Sequence, residues 1–569
     1  MPRTDLILFH APSVYDFRQK TILYGPVSDL VPSSPIFEMY PIGLVSIAEY
    51  LERARYRVRI VNLAVRMLSD PNFDAQRLIK DMDAPVYGID LHWLPHAHGA
   101  VEVARMVKRH HPKAKVVVGG FTASYYHREL FHYPEIDYVV RGDTTEEPLR
   151  QLMDCIRKGR EPEDVPNLSW RDQRGEVHEN PLSYVPNELG DVMVNYYNHV
   201  VQSAVRYRSL ANYLPFKRWL HYPITAVLTC RGCTQNCVYC GGSATAFRLY
   251  LNRDRPAFRS PEAVARDVRT ISKITKGPIF ILGDIRQPGE DYAQRLLQLL
   301  AGERNKNQLI LELFTPAPRR FLQQMGEACP GFCLEISPES HDPAVRKAVG
   351  KRYSNEALEE TMEDALTAGC GRLDVYFMIG LPQQTPKSVL DTIDYSGFLM
   401  DKFANDKRLS LFTSPLAPFL DPGCLAFEDS RRHGYRVLFR SLEEHRKALL
   451  EPSWKYTLNY ETEWMNRQEI VATTYEAGLH LNRLKAKHGF ISQGVADATE
   501  RRISTALEML RRIDAIVASG SDQEELSRIK ATVDQVSIST VCEKGELELP
   551  TASIALRPLY ALWSLVRAR

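Results

Sequence analysis

Ile224-Thr-Ala-Val-Leu-Thr229 runs directly into Cys230-Arg231-Gly232-Cys233-Thr-Gln-Asn-Cys237-Val-Tyr239-Cys240-Gly241-Gly242. The first six residues are mostly apolar, the pattern of a buried parallel strand. That strand ends in four cysteines within eleven residues. Cys233, Cys237 and Cys240 form a Cys-x3-Cys-x2-Cys run. Three thiolates at this spacing can hold one corner of a four-iron cluster and leave the fourth iron open to a small molecule. Zinc, with Cys230 as fourth ligand, and buried free thiols are the competing readings. Only three residues separate the two Cys-x2-Cys pairs, far fewer than is usual between paired zinc ligands. The other cysteines, Cys155, Cys329, Cys333, Cys370, Cys424 and Cys542, are scattered. The chain is therefore no disulfide scaffold.

The strand–helix alternation continues downstream. Ile279–Leu282, Leu309–Leu313, Phe332–Ile336, Leu373–Ile379 and Leu409–Phe412 read as strands. Helical patterns such as Pro261–Ser272 and Asp291–Leu300 lie between them. Six such units predict an α/β fold with a partial (βα)6 barrel over 224–429 rather than a closed barrel of eight. Functional side chains are then expected at the carboxyl ends of the strands.

Upstream, Asp5–Phe9, Arg57–Val61, Val86–Leu91, Ala114–Val118 and Tyr138–Arg141 read as strands. Ile42–Glu52 and Ala100–His110 read as helices. This predicts a doubly wound, Rossmann-like domain over 1–165. Its ligand crevice is expected in loops after the strands: Ala11-Pro12-Ser13, Gly119-Gly120-Phe121-Thr122-Ala123-Ser124 and Gly142-Asp143-Thr144. No Gly-x-Gly-x-x-Gly run favours a dinucleotide. Residues 166–223 read as a connector, with a hairpin turning at Gln173-Arg174-Gly175. Residues 430–569 are predicted to be mainly helical. Pro415–Gly423 either lines the barrel mouth or is structural. Trp454, Tyr456, Tyr460, Glu461 and Trp464 read as core packing, with substrate contact as the alternative. Ala552–Arg569 is amphipathic, so it either docks on the body or lies on a membrane surface.

Hydrophobic residues make up 44% and charged residues 25%, which suits a packed core. The balance of 72 basic against 70 acidic residues argues against a dedicated nucleic-acid binder. No apolar run approaches the roughly 18–20 residues of a membrane span. The N-terminus lacks the layout of a signal peptide. These features together predict a soluble, cytoplasmic protein.

Thr229–Gly242 strongly resembles the signature of the radical S-adenosylmethionine (radical SAM) enzymes, and the resemblance covers roughly 224–415. It implies a 4Fe-4S cluster on Cys233, Cys237 and Cys240, with SAM on the open iron. Tyr239, inside the signature, is assigned to the SAM site. Gly283-Asp284 stands where the family carries Gly-Gly-Glu for the methionine amino group, with Asp in place of Glu. Glu339-Ser340 resembles the family's Glu-Ser motif at the ribose. Gly380-Leu381-Pro382 resembles its Gly-x-Pro motif near the adenine. Cys230 is read as a strand-end packing residue, because a fourth thiolate on the open iron would exclude SAM.

The first domain resembles the cobalamin-binding domain that precedes the barrel in one radical SAM subclass. The matching elements are Pro41-Ile42-Gly43, Val116-Val117-Val118-Gly119-Gly120 and Asp137–Asp143. The resemblance implies a corrin between the strand ends and the barrel mouth. Its expected neighbours are Ser13, His92, Trp93, His96, His98, Gly119, Gly120, Thr122, Ser124, Gly142, Asp143 and Thr144. Small residues there let a flat ring approach the backbone. Asp90-Leu91-His92 begins like the Asp-x-His-x-x-Gly motif of His-ligated cobalamin proteins, but Pro95 takes the glycine's place. The loop His92–Gly99 is either polar packing or a cover under the corrin, shielding or ligating cobalt. The broken motif favours cobalamin without a protein nitrogen ligand.

The combined resemblance implies a cobalamin-dependent radical SAM methyltransferase acting on an unactivated carbon. The reduced cluster would cleave SAM to a 5′-deoxyadenosyl radical, which abstracts hydrogen. Methylcobalamin would then deliver a methyl group, and a second SAM would recharge the cobalt. An electron donor such as flavodoxin or ferredoxin is implied. The alternative outcome is cyclisation, oxidation or carbon–carbon coupling without methyl transfer. The alternative of another class is a non-catalytic iron–sulfur binding or sensor protein. The substrate, a small or lipid-like molecule, is not identified, and no residue is assigned to act on it directly.

Overall fold

The computed structural model describes residues 4–26, 34–190, 203–302, 307–416, 419–520, 523–537 and 541–549. The amphipathic segment Ala552–Arg569, and Ala417 and Pro418 in the loop after the last barrel strand, lie outside the described residues.

The N-terminal sheet contains β1 (Leu6–His10), β2 (Val58–Asn62), β3 (Val86–Asp90), β4 (Lys115–Gly119), β5 (Tyr138–Val140), β6 (Leu168–Arg171) and β7 (Val177–Glu179). Strands β1 to β3 are buried along their whole length, as their apolar sequences require. The order is β2-β1-β3-β4-β5-β6-β7. The first five strands pair in parallel. The expected hairpin forms, and it adds β6 and β7 antiparallel to the edge. The first sheet thus extends past residue 165. Reversal of the winding between β1 and β3 makes a topological switch point, the usual ligand crevice of such sheets. The loops after β1 and β3 therefore flank the crevice, as read from the sequence. Gly99 is required where they touch, since a Cβ there would lie 1.8 Å from the Pro12 carbonyl oxygen.

The second sheet begins with β8 (Thr225–Leu228). A short antiparallel ribbon of β9 (Cys230–Arg231) and β10 (Ala257–Phe258) follows. The sheet continues through β11 (Ile279–Leu282), β12 (Leu309–Leu313), β13 (Cys333–Glu339), β14 (Arg372–Ile379) and β15 (Leu409–Pro415). The order β15-β14-β13-β12-β11-β8 is parallel throughout. This is the six-stranded open barrel anticipated. Ser260 caps the helix Pro261–Ile274, whose first residue is proline, so both signals of a helix start are present. Strand β13 runs three residues further than its apolar core, through a bulge between Ile336 and Glu339. Glu339 is therefore a strand-end residue with a left-handed backbone (φ 70°).

The C-terminal layer is mainly helical: Arg467–Lys487, Gln493–Ala518 and Gln523–Val536. It also holds a ribbon not evident from sequence, β16 (Tyr435–Val437) with β17 (Tyr460–Thr462). Helix Arg467–Lys487 packs on the helix Pro386–Lys402 and on β15. Trp454 and Tyr460 are buried, in keeping with the core-packing reading. The Trp454 indole N–H donates to Tyr475 Oη at 3.2 Å.

Two buried ion pairs fasten the first domain to the barrel. Arg253 grips the Asp143 carboxylate with Nε and Nη2, the latter at 3.2 Å. Their side chains are 1% and 2% exposed. Arg231, inside the cysteine loop, holds Glu146 bidentately at 2.5 and 3.1 Å and also bonds the Asp143 carbonyl. Ser46 donates to the same Glu146 at 2.7 Å. Removing one partner strands a buried charge. Asp143→Ala is expected to destabilise the protein by about 3–5 kcal/mol, read as a fall in the thermal unfolding midpoint. The paired change Asp143→Leu with Arg253→Met is expected to recover most of that loss. An unchanged midpoint in Asp143→Ala would contradict this account of the junction.

Candidate active site at the barrel mouth

The cysteine loop follows β8 and β9 directly. Cys233, Cys237 and Cys240 are each partly exposed. Backbone N–H groups of Gln235 and Gly242 donate to the sulfurs of Cys233 and Cys240, each at 3.3 Å. Burial pushes the Cys233 thiol up to about 11 and Cys240 to about 12. As free thiols they would stay protonated near pH 7, and they would bind a metal by losing that proton. Among the described residues the thiols do not converge three at a time on one ion-sized point. A zinc ion would require that, with ligands at about 2.3 Å from one centre. Three thiolates at the Cys-x3-Cys-x2-Cys spacing suit an iron–sulfur cluster with one open iron. Cys230 donates its S–H to the Gly232 carbonyl at 3.5 Å within the β9–β10 ribbon. The loop after β15 braces the cysteine loop from outside. Asp421 accepts the Gly241 N–H at 3.1 Å, and Ala426 N–H donates to the Val238 carbonyl at 2.8 Å.

Glu339, at the end of β13, is 1% exposed. Its Oε1 accepts Tyr239 Oη at 2.7 Å and Lys351 Nζ at 2.5 Å. Its Oε2 is enclosed with no partner among the described residues. A buried acceptor left open beside the cysteine loop is what hydroxyl groups of a ligand would satisfy. Ser340 is different: its hydroxyl accepts the Asp342 N–H at 3.1 Å and packs on Thr392. Gly380 has φ 94°, and a Cβ there would lie 2.5 Å from Tyr460 Oη. Gln384 and Tyr435 pin its N–H and carbonyl, at 2.9 and 3.1 Å. Glycine is thus required on both counts.

Asp284 does not offer a free carboxylate. Arg286 holds Oδ1 at 2.9 Å and Oδ2 at 2.6 Å, and Phe314 N–H donates to Oδ2 at 3.0 Å. The carboxylate that meets the Gly283 N–H is Glu312, on β12. Glu335 sits in register beside it on β13, on the same face of the sheet. Burial raises Glu312 to about 7 and, together with Asp374 and Glu312, raises Glu335 to about 8. Sequence reading missed Glu312 and Lys351. The signal for Glu312 is a charged residue breaking the apolar run Leu309–Leu313.

The crevice of the first domain is built around a buried His–Asp pair. His10 ends β1 and Asp90 ends β3. His10 Nδ1 lies 3.0 and 3.1 Å from the two Asp90 oxygens, and Nε2 lies 2.9 Å from the Phe37 carbonyl. Burial opposes a charged imidazole, but Asp90 outweighs it and holds His10 above its ordinary value. Burial pushes His92, His96 and His98 down to about 4, so all three are neutral near pH 7. His96 packs against His10 with ring centroids 4.8 Å apart, and its Nε2 lies 3.0 Å from the Phe37 carbonyl. His98 Nδ1 accepts the Tyr15 N–H at 3.2 Å. His92 lies between Trp93 and Phe121, and Trp93 is 48% exposed. The hydroxyl of Ser13 and Nδ1 of His96 are enclosed without a partner among the described residues. These two atoms fit a polar ligand entering between the β1 and β3 loops.

The remaining loop residues make the following contacts. Gly120 (φ 121°) lies so close to His92 that a Cβ would meet its backbone at 2.6 Å. Thr122 donates to the His92 carbonyl at 3.2 Å. Ser124 bonds the Gly120 carbonyl at 2.8 Å and accepts the Gly142 N–H at 3.0 Å. A Cβ on Gly119 would lie in ordinary contact with the Val140 carbonyl oxygen, at 3.5 Å. Asp143 and Thr144 face Arg253 at the junction. His10 escaped the sequence reading because its partner, Asp90, is eighty residues away.

Comparison with known proteins agrees with this division. The B12 binding domain family model matches residues 33–151, and the Radical SAM superfamily model matches residues 227–396. An uncharacterized methyltransferase of Pyrococcus horikoshii is 29% identical over 373 residues, covering 63% of this chain and 72% of that protein. The hopanoid C-3 methylase of Methylococcus capsulatus is 23% identical over 300 residues, covering half of each chain. The radical S-adenosylmethionine methyltransferase TsrM of Kitasatospora setae, solved with cobalamin and a [4Fe-4S] cluster, superposes with a TM-score of 0.54 at 16% identity. That match covers 77% of this chain and 81% of TsrM. The chain is a radical SAM protein that carries a cobalamin-binding domain ahead of its barrel.

Proposed function

We propose that this chain methylates an unactivated carbon, using SAM, a 4Fe-4S cluster and cobalamin. One observation carries the reading. The crevice domain and the barrel mouth are locked together through Arg231, a residue of the cysteine loop itself. A cofactor in the crevice and SAM in the barrel would then face one substrate. The names of the relatives, methyltransferase and methylase, support transfer over cyclisation, oxidation or coupling.

The contacts support the following residue roles. Cys233, Cys237 and Cys240 hold the cluster, and Cys230 stays outside it. Glu339 takes the ribose hydroxyls through its open Oε2, while Tyr239 and Lys351 fix the other oxygen. The Gly380 turn backs the adenine. Glu312, not Asp284, accepts the methionine amino group. When bound, the three groups supply a carbon radical and a methyl donor. The protein's part is to align them and keep water out. Ser13 and the His92–Gly99 loop line the corrin's side of the crevice. No protein nitrogen ligates cobalt: Asp90, which would orient His92, is already bonded by His10 through both oxygens. Metal-bound histidines normally need such a partner. The substrate is a small or lipid-like molecule. A flavodoxin or ferredoxin supplies electrons. Among the described residues no helix is long and apolar enough to cross a membrane.

Anaerobically reconstituted protein given SAM and dithionite is expected to release 5′-deoxyadenosine. With substrate, it is expected to add one CH2 and also release S-adenosylhomocysteine. Cys230→Ala should keep both products and Cys240→Ala lose them. A product without added mass would favour the non-methylating alternative, and no SAM cleavage at all would favour a sensor.

Glu312→Gln is expected to weaken SAM binding on the order of tenfold, the scale of one lost charge-assisted hydrogen bond. Equilibrium dialysis of the reconstituted variant, with its iron content unchanged, reads this. Wild-type affinity would return the role to another group.

The cob(II)alamin paramagnetic resonance spectrum is expected to lack axial-nitrogen splitting and to be the same in His92→Ala. Splitting in the wild type that disappears in the variant would make His92 a ligand.

A further inference from the structure

Arg253, Arg259 and Arg372 are buried, and each meets a carboxylate, of Asp143, Asp267 and Asp374 in turn. Arg346 is fully buried too, yet it meets no carboxylate among the described residues. It lies on the short helix Pro343–Ala348, just after the turn that ends β13. Its Nη1 donates to the Ser340 carbonyl at 3.1 Å and to Asn355 Oδ1 at 2.5 Å. The guanidinium lies 5.2 Å from the centroid of the Tyr353 ring. Its Nε and Nη2 are enclosed without a hydrogen-bond partner among the described residues. A guanidinium taken out of water among neutral groups costs several kcal/mol, and an apolar side chain of similar length avoids that cost. Packing alone therefore gives no reason for a cation here. The bond to the Ser340 carbonyl is what a methionine or leucine could not make.

Ser340 follows Glu339, a non-glycine residue whose backbone is left-handed (φ 70°). Such a conformation costs about 1–3 kcal/mol and persists only where its surroundings fix it. Before it, the bulge after Ile336 sets the path of the strand. After it, the Ser340 N–H donates to the Pro338 carbonyl at 2.9 Å, and Arg346 holds the Ser340 carbonyl. Arg346 also reaches the other arm of the site. Lys351 N–H donates to the Arg346 carbonyl at 2.9 Å, and Lys351 Nζ bonds the Ser337 carbonyl and Glu339 Oε1. Arg346 thus ties together the two segments that fix the Glu339 carboxylate, while making no hydrogen bond to that carboxylate itself.

We propose that Arg346 is a positioning residue for SAM: by clamping the Ser340 carbonyl it holds the Glu339 turn, so that the open Oε2 selects a ligand carrying ribose hydroxyls. The proposal rests on the ribose role given to Glu339 above. A charge-assisted bond to a carbonyl is stronger than a neutral one, which suits a clamp on a strained turn.

The test is equilibrium dialysis of the reconstituted holoenzyme against SAM and against its 2′,3′-dideoxy analogue, without reductant so that neither is cleaved. The wild type is expected to prefer SAM on the order of tenfold, the scale of one hydrogen bond to a charged group, and E339Q to lose most of that preference. R346M is expected to bind SAM about tenfold more weakly and the dideoxy analogue as the wild type does. R346K, which keeps a cation and a donor, should restore the preference. Adding E339Q to R346M should remove nothing further. Iron content should match the wild type throughout. A role in packing alone would leave the preference in place, so an R346M protein that keeps it, or that binds both ligands equally more weakly, would overturn the proposal. If R346M loses its iron, R346L takes its place, and loss of iron in both overturns the proposal, since a turn clamp is not needed to hold the cluster. A wild type with no preference between the two ligands would overturn the ribose role of Glu339 and the proposal with it.

Discussion

A guanidinium taken out of water must meet its counter-charge in the interior, or the fold loses several kcal/mol. Arg253 and Arg231 meet theirs, Asp143 and Glu146, on the other domain. Both acids lie at the start of the helix Glu146–Lys158 or just before it, and both arginines flank the cysteine loop. The relative position of crevice and barrel mouth is therefore set by charge pairing at a few atoms rather than by area alone. Apolar packing then fills in around the pairs, and one continuous core cluster includes residues of the first sheet, the barrel and the C-terminal helices.

The strands and the cysteine run were legible because their signals are local. An apolar run of five residues, or a spacing of three and two, can be read without knowing what lies opposite. Strand order cannot be read this way, so the switch point between β1 and β3 appeared only in three dimensions. The same limit explains the residues whose surroundings differ from expectation. Asp284 matched a motif position, yet Arg286 two residues later takes its carboxylate. Glu312 lay unremarked in a strand, yet it reaches the Gly283 N–H at the end of the neighbouring strand. Asp143 and Thr144 looked like cofactor-loop residues, and their partner is an arginine 110 residues away. Gly380 has a constraint, Tyr460, that comes from a ribbon the sequence did not reveal.

The two halves of the site are prepared by different electrostatics. In the crevice, Asp90 holds one imidazole above its ordinary pKa while burial pushes its neighbours down. A neutral lining suits a large, weakly charged ring. In the barrel, two carboxylates stand side by side with raised pKa values, and Glu339 keeps one oxygen unpaired. Such a lining suits a ligand rich in donors, as a sulfonium amino acid with a ribose is. Each environment follows from which neighbours the fold brings together, and none follows from composition.

The central claim is that the crevice and the barrel present their cofactors to one shared space. Anomalous diffraction at the iron and cobalt edges, on anaerobic crystals of the reconstituted protein with SAM, tests it directly. The account predicts iron at Cys233, Cys237 and Cys240, and cobalt between the β1 and β3 loops, facing the barrel mouth. Cobalt bound elsewhere on the chain, or no cobalt beside an intact cluster, would contradict it.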